Sequence, residues 1–137
     1  MKNQVRIKAI LVGLVAGFFA GFIWSIIVAM LSLYLVPAAS DANAFMTNPI
    51  LVVLSLIGSF ASSLVAGYVT ARKAIGAEIY NSVAVGAVII LVNVALFFPT
   101  GLNHAPIWYN IPAFLLVVPL CFLGGLIVVR ARDEKNS

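Results

Sequence analysis

Residues 49–73 read PILVVLSLIGSFASSLVAGYVTARK. From Pro49 to Ala71 there is no Asp, Glu, Lys, Arg or His, and then Arg72 and Lys73 arrive together. A hydrocarbon core about 30 Å thick needs about 20 apolar residues in helical form. The stretch therefore predicts a transmembrane helix that ends on cationic side chains at the headgroups. Small residues recur in it at every fourth position. Ser55, Ser59, Ser63, Gly67 and Ala71 make one row, and Gly58, Ser62, Ala66 and Thr70 make its neighbour. Apolar burial does not draw helices together in lipid, whereas small residues let backbones approach closely enough for van der Waals contact. This span is built to pack tightly against other helices.

Three further stretches of the same character lie on either side, at roughly 9–36, 79–98 and 109–129. The chain has 137 residues, 64% hydrophobic and 9% charged, against about 45–50% apolar and about 25% charged in soluble domains. Transmembrane barrels show shorter segments of alternating polarity, and no such alternation is visible. The expected fold class is all-α: one integral membrane domain over 1–137, a four-helix bundle. Further packing positions are Gly13, Gly17 and Gly21 in span one, Ser82 and Gly86 in span three, and Gly124 and Gly125 in span four. Span one, at about 28 residues and roughly 40 Å, exceeds the bilayer and must tilt or emerge. Pro37 ends it and Pro49 opens span two, where a missing N–H is harmless. Pro112 and Pro119 fall in span four, with a kink expected at Pro119. The tail from Arg130 to Ser137 reads as polar and frayed.

The cationic residues fix the threading. Lys2, Arg6 and Lys8 open the chain, Arg72 and Lys73 sit in the middle, and Arg130, Arg132 and Lys135 close it. Four spans bring all eight to one side, where Glu78, Asp133 and Glu134 leave a net +5; the other side has only Asp41. Cationic loops stay in the cytoplasm, so both termini are expected there. The overall +4 is then a matter of membrane anchoring, not of nucleic acid. Lys2–Lys8, the apolar run after it and Ala42-Asn43-Ala44 resemble a cleavable signal peptide. Signal cores run only about 7–15 residues, so an uncleaved span is expected.

A faint duplication is also present. Gly67–Arg72 (GYVTAR) lines up with Gly125–Arg130 (GLIVVR), and Ile7–Gly13 more weakly with Tyr80–Gly86. The bundle would then be a pair of helical hairpins related by an axis along the membrane normal.

No Asp, Glu, Lys, Arg or His lies inside any span, although proton relays and cation pathways rely on such groups. Nucleophile–base pairs, metal-binding helices and phosphate-cradling glycine loops are absent from the sequence. His104 is a lone loop histidine, and Cys121, the single cysteine, reads as a small core residue. No catalytic residue, cofactor or metal is expected, and the chain does not read as an enzyme. Serine hydroxyls in membrane helices usually bond to carbonyls one turn back. Asn93 is harder to hide and stands as a polar contact, between helices or to a ligand.

The run Ser63–Glu78 (SLVAGYVTARKAIGAE), the start of span three at Asn81–Gly86, and Pro119, Gly124-Gly125 and Val129–Arg132 resemble a pattern in small bacterial four-span inner-membrane proteins. There a GYxxAR segment ends span two, and a Gly-Gly and basic end closes span four. The likeness covers about residues 49–132. The chain departs from it with Ser82 where glycine is usual, and span one does not match. The resemblance implies topology and a bacterial plasma membrane, and implies no activity. The leading expectation is a structural or accessory subunit that packs as a homo-oligomer or in a larger membrane complex. The alternative is a channel or carrier for a neutral or apolar solute, using the Ser55–Thr70 face and Asn93. A lipid-binding role is a third.

Overall fold

The computed structural model describes residues 4–35, 48–97 and 107–136. Asp41, the Ala42-Asn43-Ala44 site, His104 and the two interhelical segments around Pro37 and Pro99 lie outside the described residues. Helix α1 runs Ile7–Leu35, α2 Pro49–Lys73, α3 Glu78–Phe97, α4 Ile107–Leu115 and α5 Val117–Asn136. Four helical spans, the last formed by α4 and α5, are long and apolar enough to cross a membrane. The large apolar side chains that point outward, Phe18 and Leu33 among them, are exposed, which suits a surface facing lipid.

Local chemistry sets the boundaries. Asn48 caps α2, its side-chain oxygen accepting from the amides of Ile50 (3.0 Å) and Leu51 (3.4 Å), with Pro49 in the first turn. Such a cap satisfies amides that the helix itself leaves without partners. At the other end Ala74 closes α2 onto Thr70 and Ala71. Gly76 then takes φ +85°, a left-handed conformation that a side chain disfavours, and α3 begins two residues later.

One expectation for span four changes, that of a frayed tail. The break expected from Pro119 falls in the turn before it, at Leu116. The ring of Pro119 displaces the backbone of the preceding turn and leaves the Leu115 carbonyl without its usual donor. The tail is helical as far as Asn136. Its residues are good helix formers, Lys135 suits the C-terminal dipole, and Arg132 is tied to α3 by an ion pair with Glu78.

Helix α2 is the hub, touching α1 on one side, α5 on another and α3 on a third, while α5 also packs on α3. A two-fold pair of hairpins would place α1 on α2, α3 on α5, and α2 against α5 at the axis. Cys121 and Ser63, equivalent positions in the duplication, meet there: the thiol donates to the Ser63 carbonyl at 3.1 Å. The symmetry is broken elsewhere, because α2 contacts α3 without a comparable α1–α5 contact.

Candidate functional site

The end of the bundle with the termini and the 74–77 turn, here called the basic end, is welded shut. A Cβ on Gly67 would strike the Cys121 backbone, with its Cα at 2.5 Å. On Gly124 it would strike the Leu64 carbonyl and the Tyr68 amide (2.7 Å), and on Gly125 the Ser82 hydroxyl (2.6 Å). Gly86 faces the Val118 Cα at 3.0 Å. The stripe on α1 is turned toward α2: Gly13 lies on Thr70 and Ala66, Gly17 on Ala66 (2.8 Å) and Gly21 on Ser62 (3.1 Å). These glycines make close approaches within one chain.

Polar side chains reinforce the weld. The Ser82 hydroxyl lies 3.0 Å from the Gly67 carbonyl and 2.9 Å from that of Glu78, so it bridges α2 and α3. Asn81 is fully buried and holds the N-terminal segment. Its oxygen accepts the Arg6 amide at 2.7 Å, and its nitrogen donates to the carbonyls of Gln4 (3.1 Å) and Ala77 (2.8 Å). Sequence reasoning passed over Asn81 because it adjoins the headgroup level, where a polar residue needs no explanation.

The far half is different. There α1, α2, α3 and α4 surround a cavity of about 840 Å³, within the roughly 300–1,000 Å³ range of small-molecule sites. Its floor is Leu14, Ile89 and Val117; Gly17, Gly21 and Trp24 form the α1 wall. Ser55, Ser59, Ser62 and Ser63 come from α2, Asn93 from α3, and Tyr109, Asn110 and Phe114 from α4. Among the described residues no Asp, Glu, Lys, Arg or His lines it.

Three of the serines bond to their own helix: Ser55 to the Leu51 carbonyl (2.9 Å), Ser62 to Gly58 (2.7 Å) and Ser63 to Ser59 (2.9 Å). Among the described residues the Ser59 hydroxyl makes no such bond. Asn93 donates to Ile89 at 2.8 Å within α3, which takes one of its two donor hydrogens and leaves its amide facing the cavity. Trp24 donates to the Leu54 carbonyl at 2.8 Å with its ring against Gly58. A mid-span tryptophan is the signal that would have found this contact, since the ring nitrogen in hydrocarbon demands a partner.

The small residues expected to act together therefore separate into two groups. Gly67, Gly86, Gly124 and Gly125 close the basic half, whereas Gly21, Ser55, Ser59, Ser63 and Asn93 border the cavity. Gly17 does both, packing on Ala66 and lining the floor of the opening. Among the described residues no three His, Cys, Asp or Glu side chains gather to hold a metal ion.

The fold and the cavity define a class, the multi-pass all-helical membrane protein with a cavity within its bundle that the described residues line without charge. No family model, no curated protein and no solved structure matches the chain.

Proposed function

We propose that the protein is a non-catalytic membrane protein that binds a neutral or apolar solute in the far-half cavity and carries it. The observation behind this reading is a ligand-sized space lined by Ser59 and Asn93 and, among the described residues, by no ionisable Asp, Glu, Lys, Arg or His. The weld of Gly67, Gly124 and Gly125 favours a carrier or binding protein over a channel, since a pore would have to pass through that half. The sidedness of Lys and Arg supports both termini in the cytoplasm of a bacterial cell, with the cavity toward the outside. A reporter fused after Ser137 should be cytoplasmic.

A structural subunit, as a homo-oligomer or in a larger complex, is the second reading. Phe18, Phe19 and Phe22 favour it. They form an exposed aromatic cluster on α1, with Phe18 and Phe22 stacked at 6.3 Å. The glycines of the small-residue rows that first suggested it, Gly13, Gly17, Gly21 and Gly67 among them, lie against partners in the same chain.

One preparation tests both. The full chain, released in mild detergent, should carry an uncharged molecule at one copy per chain by native mass spectrometry, lost in Ser59→Leu and Asn93→Leu. Liposomes containing it should take up glycerol or urea faster than empty ones. An empty cavity with no flux above background overturns the reading, and a stable oligomer or complex with an empty cavity favours the second.

A further inference from the structure

Between α1 and α3 the cavity is bordered by side chains exposed toward the bilayer. Phe18 and Phe22 line the space yet are 71% and 54% exposed. At 1.5 Å per residue they sit about 17–23 Å along α1 from Ile7, deep in the hydrocarbon. Across the gap Val92 of α3 also lines the cavity and is exposed. Nearer the basic end α1 meets the core through Ile10 and Leu14, packed with Val85, Val88 and Ile89. The two helices thus meet at the floor, while Phe18, Phe22 and Val92, which border the cavity above it, are exposed. A molecule passing through that gap comes from lipid, not from water.

The lining also grades with depth. Leu14, Ile89 and Val117 form an apolar floor. Ser59 and Asn93 stand at one level, about 21 Å along α2 from Lys73 and about 22 Å along α3 from Glu78. Tyr109 and Asn110 lie beyond them, near the start of the fourth span. Among the described residues a charged head would meet no counter-ion here, and unpaired charge at such depth is costly. A hydroxyl head would find the Ser59 hydroxyl and the Asn93 amide, with its chain directed to the floor or out through the gap.

Resting on the solute-binding reading above, we infer that the occupant is an uncharged, hydroxyl-headed lipid admitted sideways from the outer leaflet between α1 and α3. Its head lies at Ser59 and Asn93, and its chain lies along Phe18 and Phe22.

Trp24 reports on the cavity it lines. In full-length Trp108→Phe it is the only indole. That protein is placed in phosphatidylcholine nanodiscs with dioleoylglycerol or phosphatidylglycerol brominated on the chains. Saturable quenching should reach its midpoint at a mole fraction at least about tenfold lower for the brominated dioleoylglycerol, a modest fraction of the cost of burying unpaired charge. Adding Ser59→Leu or Asn93→Leu should abolish the difference while the unfolding temperature stays near that of the parent. Equal quenching by both lipids, or quenching indifferent to the filling variants, overturns the lipid assignment. Acrylamide, a small neutral quencher added from water, separates the two claims. If it quenches Trp24 and the filling variants block it, the solute reading stands while the lipid falls. If neither probe depends on the cavity, both fall.

Discussion

The two halves of the bundle use the same small residues for opposite ends. In the basic half glycine removes distance: Gly67 lets α2 lie on the backbone of Cys121, and Gly124 lets α5 lie on Leu64. In the far half, small side chains stand where no neighbour comes in to fill the space. Ser55 and Ser59 look into the cavity, and Gly21 borders it. A small residue in a membrane helix thus permits contact, and whether contact occurs depends on the partner's path. The helix breaks at Leu116, between α4 and α5, and the far half holds the cavity.

The largest expected effect comes from putting bulk into each half. Gly67→Leu or Gly124→Leu must displace backbone and should cost about 3 kcal/mol, seen as lost monodispersity and a lowered unfolding temperature in detergent. Ser59→Leu, which projects into space, should leave unfolding within about 0.5 kcal/mol of the parent, as substitutions away from packed features do. If the two halves respond alike, the division between them is wrong.

The buried asparagine and the cavity asparagine give the next contrast. Asn81→Leu removes the bonds to Arg6, Gln4 and Ala77 and leaves backbone groups without partners, at about 1–3 kcal/mol. The N-terminal segment should then become sensitive to added protease in inside-out vesicles. Asn93→Leu loses one bond inside its own helix and should leave both protease sensitivity and unfolding nearly unchanged.

Trp24→Phe tests a polar tie between α1 and α2 in the far half. It removes the bond to the Leu54 carbonyl while keeping an aromatic ring over Gly58. Hydrogen bonds between membrane helices are worth about 0.6–2 kcal/mol. An expected loss of about 1 kcal/mol, read by equilibrium unfolding, would locate part of the far half's cohesion in this contact. No loss would mean that packing of Gly17 and Gly21 on α2 suffices.

What the sequence disclosed follows the same division. Runs free of charge and rows of small residues are local properties of one helix, so the spans and the glycine approaches were legible. The cavity is a relation among four segments, and its walls look like any other apolar helix face. Trp24 and Asn81 were passed over: a ring nitrogen in hydrocarbon was a usable signal, whereas an amide at a span's edge was not. Which carbonyl supplies the partner depends on how the helices cross. Ser82 stood out only as an exception to a glycine pattern, and its hydroxyl turns out to bridge α2 and α3. The tail was misread because its charges suggested solvation, whereas one of them reaches Glu78 across the bundle.

That ion pair carries the smallest prediction. Glu78 opens α3 at the edge of the weld, and the Arg132 side chain that meets it is 36% exposed, against 13% for Glu78. Solvent screens such a pair, and exposed pairs are typically worth about 0.2–1 kcal/mol. Glu78→Gln keeps the shape and removes the charge, so it should lower stability by less than about 1 kcal/mol, and high salt should shrink the difference further. Its informative consequence is local. With the pair gone, the last turns of α5 beyond Arg130 lose their tie to α3, and amide exchange there should quicken while exchange around Gly67 and Cys121 stays slow. Quickening at Gly67 as well would mean that the weld depends on charge and not on backbone approach.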